Sequence, residues 1–225
     1  MRPIINIKNL NVYLNYPTGD KVSELLNAKA SATTSTMSKD AKSYPNAYAP
    51  DGVYIATKEG NCWLPSHFKD SGETLRGVAV IGKGHRIVVA PNGSEKGIVL
   101  LDSNKTLPGD RYSDYTQGLK DNDGLSNTEK LLDLGSPAAK YCKELGEEWY
   151  LPTFAEMCLI HEYKKELDEC LLLVGNSLYD GWHWTSTRYG DTSHFAFDWS
   201  NGCRCSGDQS GGDRVRPVSA LSLTI

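Results

Sequence analysis

The chain has 225 residues, 39% of them hydrophobic and 23% charged, and a net charge of −4. That is an ordinary globular composition, enough for one large domain or one domain plus an appendage. There is no Lys/Arg cluster of the kind a nucleic-acid footprint needs and no run of ~18 apolar residues, so nucleic acid is disfavoured as a partner and membrane insertion is not expected.

The N-terminus, "MRPIINIKNLNVYLNYPTGD", scatters Asn and Lys among its apolar positions and does not read as a secretory signal. Within it, "IINIKNLNVYL" alternates Ile5 with Ile7 and Val12 with Leu14, which predicts one or two short strands. "DKVSELLNAKA" predicts a short helix capped by Asp20. Residues 31–47 are rich in Ser, Thr and Lys and read as a linker, dividing the chain into 1–47 and 48–225. A piece of about 30 residues buries no core of its own. It docks, pairs with copies of itself as a homo-oligomer, or attaches to a larger assembly through residues 1–30.

From residue 51 the text is strand-like: "DGVYIAT", "RGVAVIG", "HRIVVAP" and "GIVLLD" are short β-branched runs bounded by Gly, Asp and Pro. Residues 102–127 are polar and read as a long solvated loop. Set in an EF-hand register, its "KDNDGLSNTEK" places Leu119 and Lys130 at the first and twelfth positions, which require Asp and Glu. Two helices follow. "SPAAKYCKEL" has Ser136 as N-cap and Pro137 at the first helical position. "TFAEMCLIHEYKKELDECLLLVG" opens with a capping box of Thr153 and Glu156 and stops at Gly175. His161 and Glu162 lack a second His at helical spacing and read as a surface pair.

The six cysteines contain no CxxC pair and follow no export signal, so neither a zinc knuckle nor a disulfide framework is expected. Cys142, Cys158 and Cys170 sit in helical text as small core residues. Near the C-terminus, "GWHWTSTRY" puts Trp182 and Trp184 on one side of a strand. "FAFDWSNG" turns Phe195, Phe197 and Trp199 inward and ends in a hairpin turn at Asn201–Gly202, and "RVRPVSAL" alternates again. Between these strands, "YGDTSH" and "CRCSGDQSGGD" have no period. Rigid strands framing irregular polar segments are the usual carriers of binding loops.

"WYLPTFAEM" (149–157), "HWTSTRY" (183–189), "FDWSNG" (197–202) and "RVRPVSAL" (214–221) occur in this order and spacing in another group, and "GVAVI…IVVAP" is similar to that group as well. Over residues 50–221 the chain thus resembles the variable proteins of diversity-generating retroelements, of the type common in gut bacteria and their phages. The resemblance implies an α+β, C-type lectin-like fold of the formylglycine-generating-enzyme type behind a small N-terminal appendage. It also implies a variable region, about 188–213, in which an error-prone reverse transcriptase rewrites template adenines, so that Asn codons AAY become NNY. Such codons never encode Lys, Glu, Met, Trp or Gln. Within 188–213 only Trp199 and Gln209 belong to that set, fewer than its frequency elsewhere in the chain gives. Cys203 and Cys205 are reachable by the same route and need no metal or redox purpose.

The resemblance assigns ligand contact to Asp191, Ser193, His194, Asp198, Ser200, Cys203, Cys205, Ser206, Asp208, Ser210 and Asp213, with Tyr189, Arg204 and Gln209 as neighbours. Trp184, Trp199, Gly202, Arg214, Arg216 and Pro217 are scaffold. The implied function is a diversified, non-enzymatic binding protein with no cofactor and no metal. Its partner is an unidentified protein or glycan on a target cell, and its place is a phage tail or the bacterial surface. Two other classes compete. A calcium-dependent sugar-binding lectin requires Glu-Pro-Asn or Gln-Pro-Asp, and neither occurs. An enzyme resembling the formylglycine generator requires a placed, reactive cysteine pair, which only "CRC" could supply.

Overall fold

Short apolar alternation builds strands at both ends of this chain, and the computed structural model describes residues 4–7, 10–13, 41–177 and 180–221. The expected helix at Asp20 and the linker over 31–40 lie outside the described residues. The chain divides into two units, Met1–Ala41 and Lys42–Ile225. In the first, β1 (Ile4–Ile7) and β2 (Leu10–Tyr13) form an antiparallel hairpin, pairing Ile4 with Tyr13 and Ile7 with Leu10.

The second unit is α+β. Its larger sheet has seven strands: β3 (Ser43–Pro45), β4 (Gly52–Thr57), β5 (Asn61–Trp63), β6 (Leu75–Gly82), β7 (His85–Val89), β9 (Trp149–Tyr150) and β14 (Val218–Ala220), in the order β3-β5-β4-β6-β7-β14-β9. Residues 43–45, read from sequence as linker, are therefore an edge strand, with Tyr44 opposite Cys62. The C-terminal β14 lies between β7 and β9, so both ends of the unit close one sheet. β6 is apolar at successive positions because both of its faces are covered: Val78 and Val80 point into one cluster, Ala79 and Ile81 into another. It joins β7 through Lys83 and Gly84, both at positive φ (50° and 84°), a two-residue primed turn.

A second sheet of three strands carries the C-terminal window: β10 (Trp182–Arg188), β11 (Ser193–Asp198) and β12 (Arg204–Asp208), with β12 at the edge. Alternation sends Phe195 and Phe197 to one side, where they meet the larger sheet and helix α5 (Phe154–Glu162). Trp184 and Ala196 go to the other, under α3 (Gly124–Asp133) and α4 (Pro137–Lys143). β8 (Ile98–Val99) and β13 (Gly212–Asp213) form a separate two-stranded pair, and Arg216, fully buried, spends its guanidinium on the carbonyls of Ala90, Pro91 and Ser177.

After the single turn α1 (Pro65–Phe68), two of the helices carry the caps expected of them. Ser136 Oγ accepts the Ala139 amide at 3.1 Å. Thr153 and Glu156 form the reciprocal box at 3.1 and 2.8 Å. The single helix expected over 153–175 is broken, however. α5 ends at Glu162 and α6 (Lys164–Leu173) begins after Tyr163, whose ring packs into the first cluster over Gly82. Gly175 then closes α6 as expected, with φ +82° and the paired hydrogen bonds Asn176 N–H to Leu171 O and Gly175 N–H to Leu172 O. The loop over 102–127 is less solvated than its composition suggests. It holds a turn of helix, α2 (Tyr115–Gly118), and runs into α3 at Gly124. Buried Leu107 and Asp121 anchor it, the latter accepting from the Asn127 amide and the Asp123 N–H.

Candidate functional site

β12 and its flanking turns form the outermost part of the second sheet. Burial alternates along β12: Arg204, Ser206 and Asp208 face solvent, while Cys205 and Gly207 turn toward Trp184. Ser200 and Cys203 in the preceding turn and Ser210 in the following one are also exposed. These six side chains make one edge of the molecule. Tyr115 holds it from below, its hydroxyl donating to the Arg204 carbonyl at 2.8 Å.

The turn between β11 and β12 is wider than the two-residue hairpin expected at Asn201–Gly202. It spans 199–203, with the Gly202 amide bonded to the Asp198 carbonyl and Gly202 at φ +72°. Asp198 explains the difference. Its carboxylate accepts the Ser200 amide (2.9 Å), the Ser200 hydroxyl (2.6 Å) and the Asn201 side-chain amide (3.0 Å), an Asx-type clasp that a two-residue turn leaves no room for. Desolvation opposes ionisation there, but the hydrogen bonds from Ser200 and Asn201 win and hold the carboxyl below its ordinary range.

Three expected contact residues are therefore not surface groups. Asp198 is buried as the clasp just described. His194 is 1% exposed: alternation puts it opposite Phe195, on the face it shares with Ala196, and that face is covered as well; it bonds the Thr185 carbonyl through Nδ1 at 3.0 Å. Gln209 is fully buried and staples the segment before α2, donating from Nε2 to the Asp102 and Lys105 carbonyls at 2.6 and 2.7 Å.

The remaining candidates stand between surface and core. Tyr189 is half-buried, edge-on to Phe195 with ring centres 5.2 Å apart. Ser193 is half-buried opposite Asp208. Asp213 is half-buried, and burial raises its carboxyl. Asp191 is exposed but already held, by Arg188 at 3.0 Å and Arg111 at 3.5 Å.

Cys203 and Cys205 are free thiols. Burial, then the charges of Asp213 and Asp198, raises the Cys205 thiol, the opposite of what a reactive thiolate needs. Among the described residues, no three His, Cys, Asp or Glu side chains converge to hold a metal ion.

Beside this edge lies an open depression of about 290 Å³ that the sequence did not reveal. Its residues come from four separated segments: the β6–β7 turn, the residue after α2, α5 and β12. None belongs to a shared motif, so only the fold assembles them.

No family model matches the sequence. No match is found among curated proteins either. Among solved structures, a fimbrial protein from Bacteroides ovatus is similar over 60% of this chain and 35% of its own, at 14% identity and a TM-score of 0.45. The chain thus spans about a third of that protein's length, and a likeness this weak does not show a shared fold. No helix among the described residues is long and apolar enough to cross a membrane.

Proposed function

We propose that this chain is a diversified ligand-binding protein without enzymatic activity, displaying a hypervariable edge on a C-type lectin-like scaffold. It serves as a receptor-binding protein of a phage tail or as a bacterial surface adhesin. One observation carries the reading. Trp199 and Gln209, the only residues of the window that randomised NNY codons do not encode, are both fully buried. Ser200, Cys203, Ser206, Asp208 and Ser210, all reachable by such codons, are exposed along β12 and its two flanking turns. A window that must accept random substitution needs its changeable positions on the surface, since large-to-small changes in a core cost ~2–5 kcal/mol.

His194 and Asp198 belong with the frame on this reading, because replacement at either leaves buried polar partners unmet. The ligand is a protein or glycan on a target cell. The reading is tested by sequencing the DNA beside the gene. A near-copy of the segment encoding residues 184–220, differing at adenines and next to a reverse-transcriptase gene, is expected. A flanking region with neither removes the diversification mechanism.

A further inference from the structure

Arg204 is the one residue of the window that lines the depression beside it. Its backbone is fixed by the Tyr115 hydroxyl. Its guanidinium lies over two buried rings, 5.9 Å from the centre of Phe154 and 5.8 Å from that of Phe197. An Arg placed on aromatic faces keeps its hydrogen-bonding fork free and pre-oriented. No carboxylate among the described residues pairs with it.

Ala155, Cys158 and Leu159 of α5 line the depression, together with Leu119. Burial raises the Cys158 thiol, so this lining carries no charge of its own. On the rim the other ionic groups cancel, because Lys83 is paired with Glu162. Burial lowers the His85 imidazole, which leaves that ring neutral at pH 7. The site therefore presents one positive charge without a paired carboxylate at the end of a trough whose α5 side is apolar and whose rim is polar.

We infer that this groove binds a small organic monoacid, a carboxylate on a short apolar body, with the carboxylate on the Arg204 guanidinium and the body along Ala155, Leu159 and Leu119. The inference deepens the proposed function by naming a ligand class for one end of the binding edge, and it rests on that reading only for the placing of Arg204 within a variable window. The volume sits at the lower limit of ligand pockets and suits one ring or a short chain, not a nucleotide or an oligosaccharide. A single free guanidinium matches a monoanion in a bidentate pair, whereas a dianionic phosphate would need a second cation, and Lys83 is already taken by Glu162.

The test is a titration of the full chain followed by amide NMR, with 4-phenylbutyrate, its uncharged primary amide, acetate and phenyl phosphate as probes. The acid is expected to shift the amides of Leu119, Ala155, Cys158 and Leu159. It should bind about tenfold more tightly than the amide, the scale of one charge-assisted hydrogen bond, and more tightly than acetate or phenyl phosphate. Arg204→Gln should cost that same factor, and Arg204→Lys should restore part of it.

Ala155→Met fills the groove and leaves Arg204 in place. It should abolish the shifts, which keeps the test decisive if Arg204→Gln does not fold. Equal binding of acid and amide, tighter binding of phenyl phosphate, undiminished binding by the Ala155→Met protein, or shifts elsewhere in the molecule each overturn the inference. Replacing Ser206, Asp208 and Ser210 together should leave acid binding unchanged. If the acid binds as expected but the DNA beside the gene holds neither a template copy nor a reverse-transcriptase gene, the diversified-edge reading fails while the groove stands.

Discussion

Cys203 stands exposed in the turn before β12, and Cys205 turns inward beside Trp184. The two thiols are therefore unequal, although in sequence they look alike. Cys203→Ala should move the unfolding free energy by no more than ~0.5 kcal/mol, as exposed positions outside special geometry do. Cys205→Ala should cost about 1 kcal/mol, since it removes a packed sulfur from a half-buried site. Urea titrations of the two single variants measure both, and equal effects would contradict the inward turn of Cys205.

Two histidines at this scale predict acid sensitivity. Burial depresses His183 from 6.5 to about 3 and His194 from 6.5 to about 4. Between pH 6.5 and about 4 the unfolded chain takes up protons at both rings and the folded chain does not. Stability should therefore fall as pH drops through that window, by up to ~1.4 kcal/mol per pH unit for each ring. Buried Glu156 and half-buried Asp213, whose carboxyls are raised by desolvation, act in the opposite sense near the carboxylate range. Urea unfolding at pH 7 and pH 5.5, with both ring resonances followed by NMR, checks the sign. Rings that titrate normally in the folded protein would refute it.

Among the elements, α5 depends on its first turn. Thr153 and Glu156 are both buried, and Glu156 also accepts the Tyr150 hydroxyl at 2.8 Å, so the capping box ties the helix to β9 as well as closing it. Thr153→Ala should cost about 1–2 kcal/mol, the upper part of the range for lost caps. β12 has a different weakness. A Cβ on Gly207 would lie 2.9 Å from Cζ3 of Trp184, and that ring is fully buried with no room to retreat. Gly207→Ala should therefore cost ~1–3 kcal/mol by overpacking. Ser206→Ala, one residue away and facing solvent, should be neutral. Thermal melts of the pair give the comparison, and equal melting temperatures would remove Gly207 from the frame.

For the whole molecule, the second sheet separates what must stay from what can change. Trp199 is fully buried in the cluster that joins the two sheets through α5, and Trp199→Ala should cost ~3–5 kcal/mol. Against a domain stability of ~5–15 kcal/mol, that loss removes a large share of the margin and should show as a fall in melting temperature of about 10 °C or more. Replacing Cys203, Ser206, Asp208 and Ser210 together should leave the melting temperature within about 2 °C, because none of them fills the core or holds the Asp198 clasp. A quadruple variant that unfolds would mean that this edge is structural and not a display surface.

Strand positions, helix caps and the inward aromatics were legible in the sequence because they depend on neighbours a few residues away. Alternation fixes Phe195, Phe197 and Trp199 on one side whatever they meet, and Thr153 with Glu156 closes a helix locally. What lies opposite a residue is set by chain segments far off in sequence. His194 and Gln209 look like surface polar residues until the cover over the second face of β11 and the 101–105 segment enclose them. The break at Tyr163 carries no proline or glycine signal and comes from packing over Gly82. The groove beside Arg204 needs Lys83, Leu119 and α5 brought together from separated parts of the chain. Local periodicity determines which way a side chain points, and only tertiary contact decides whether water or protein waits there.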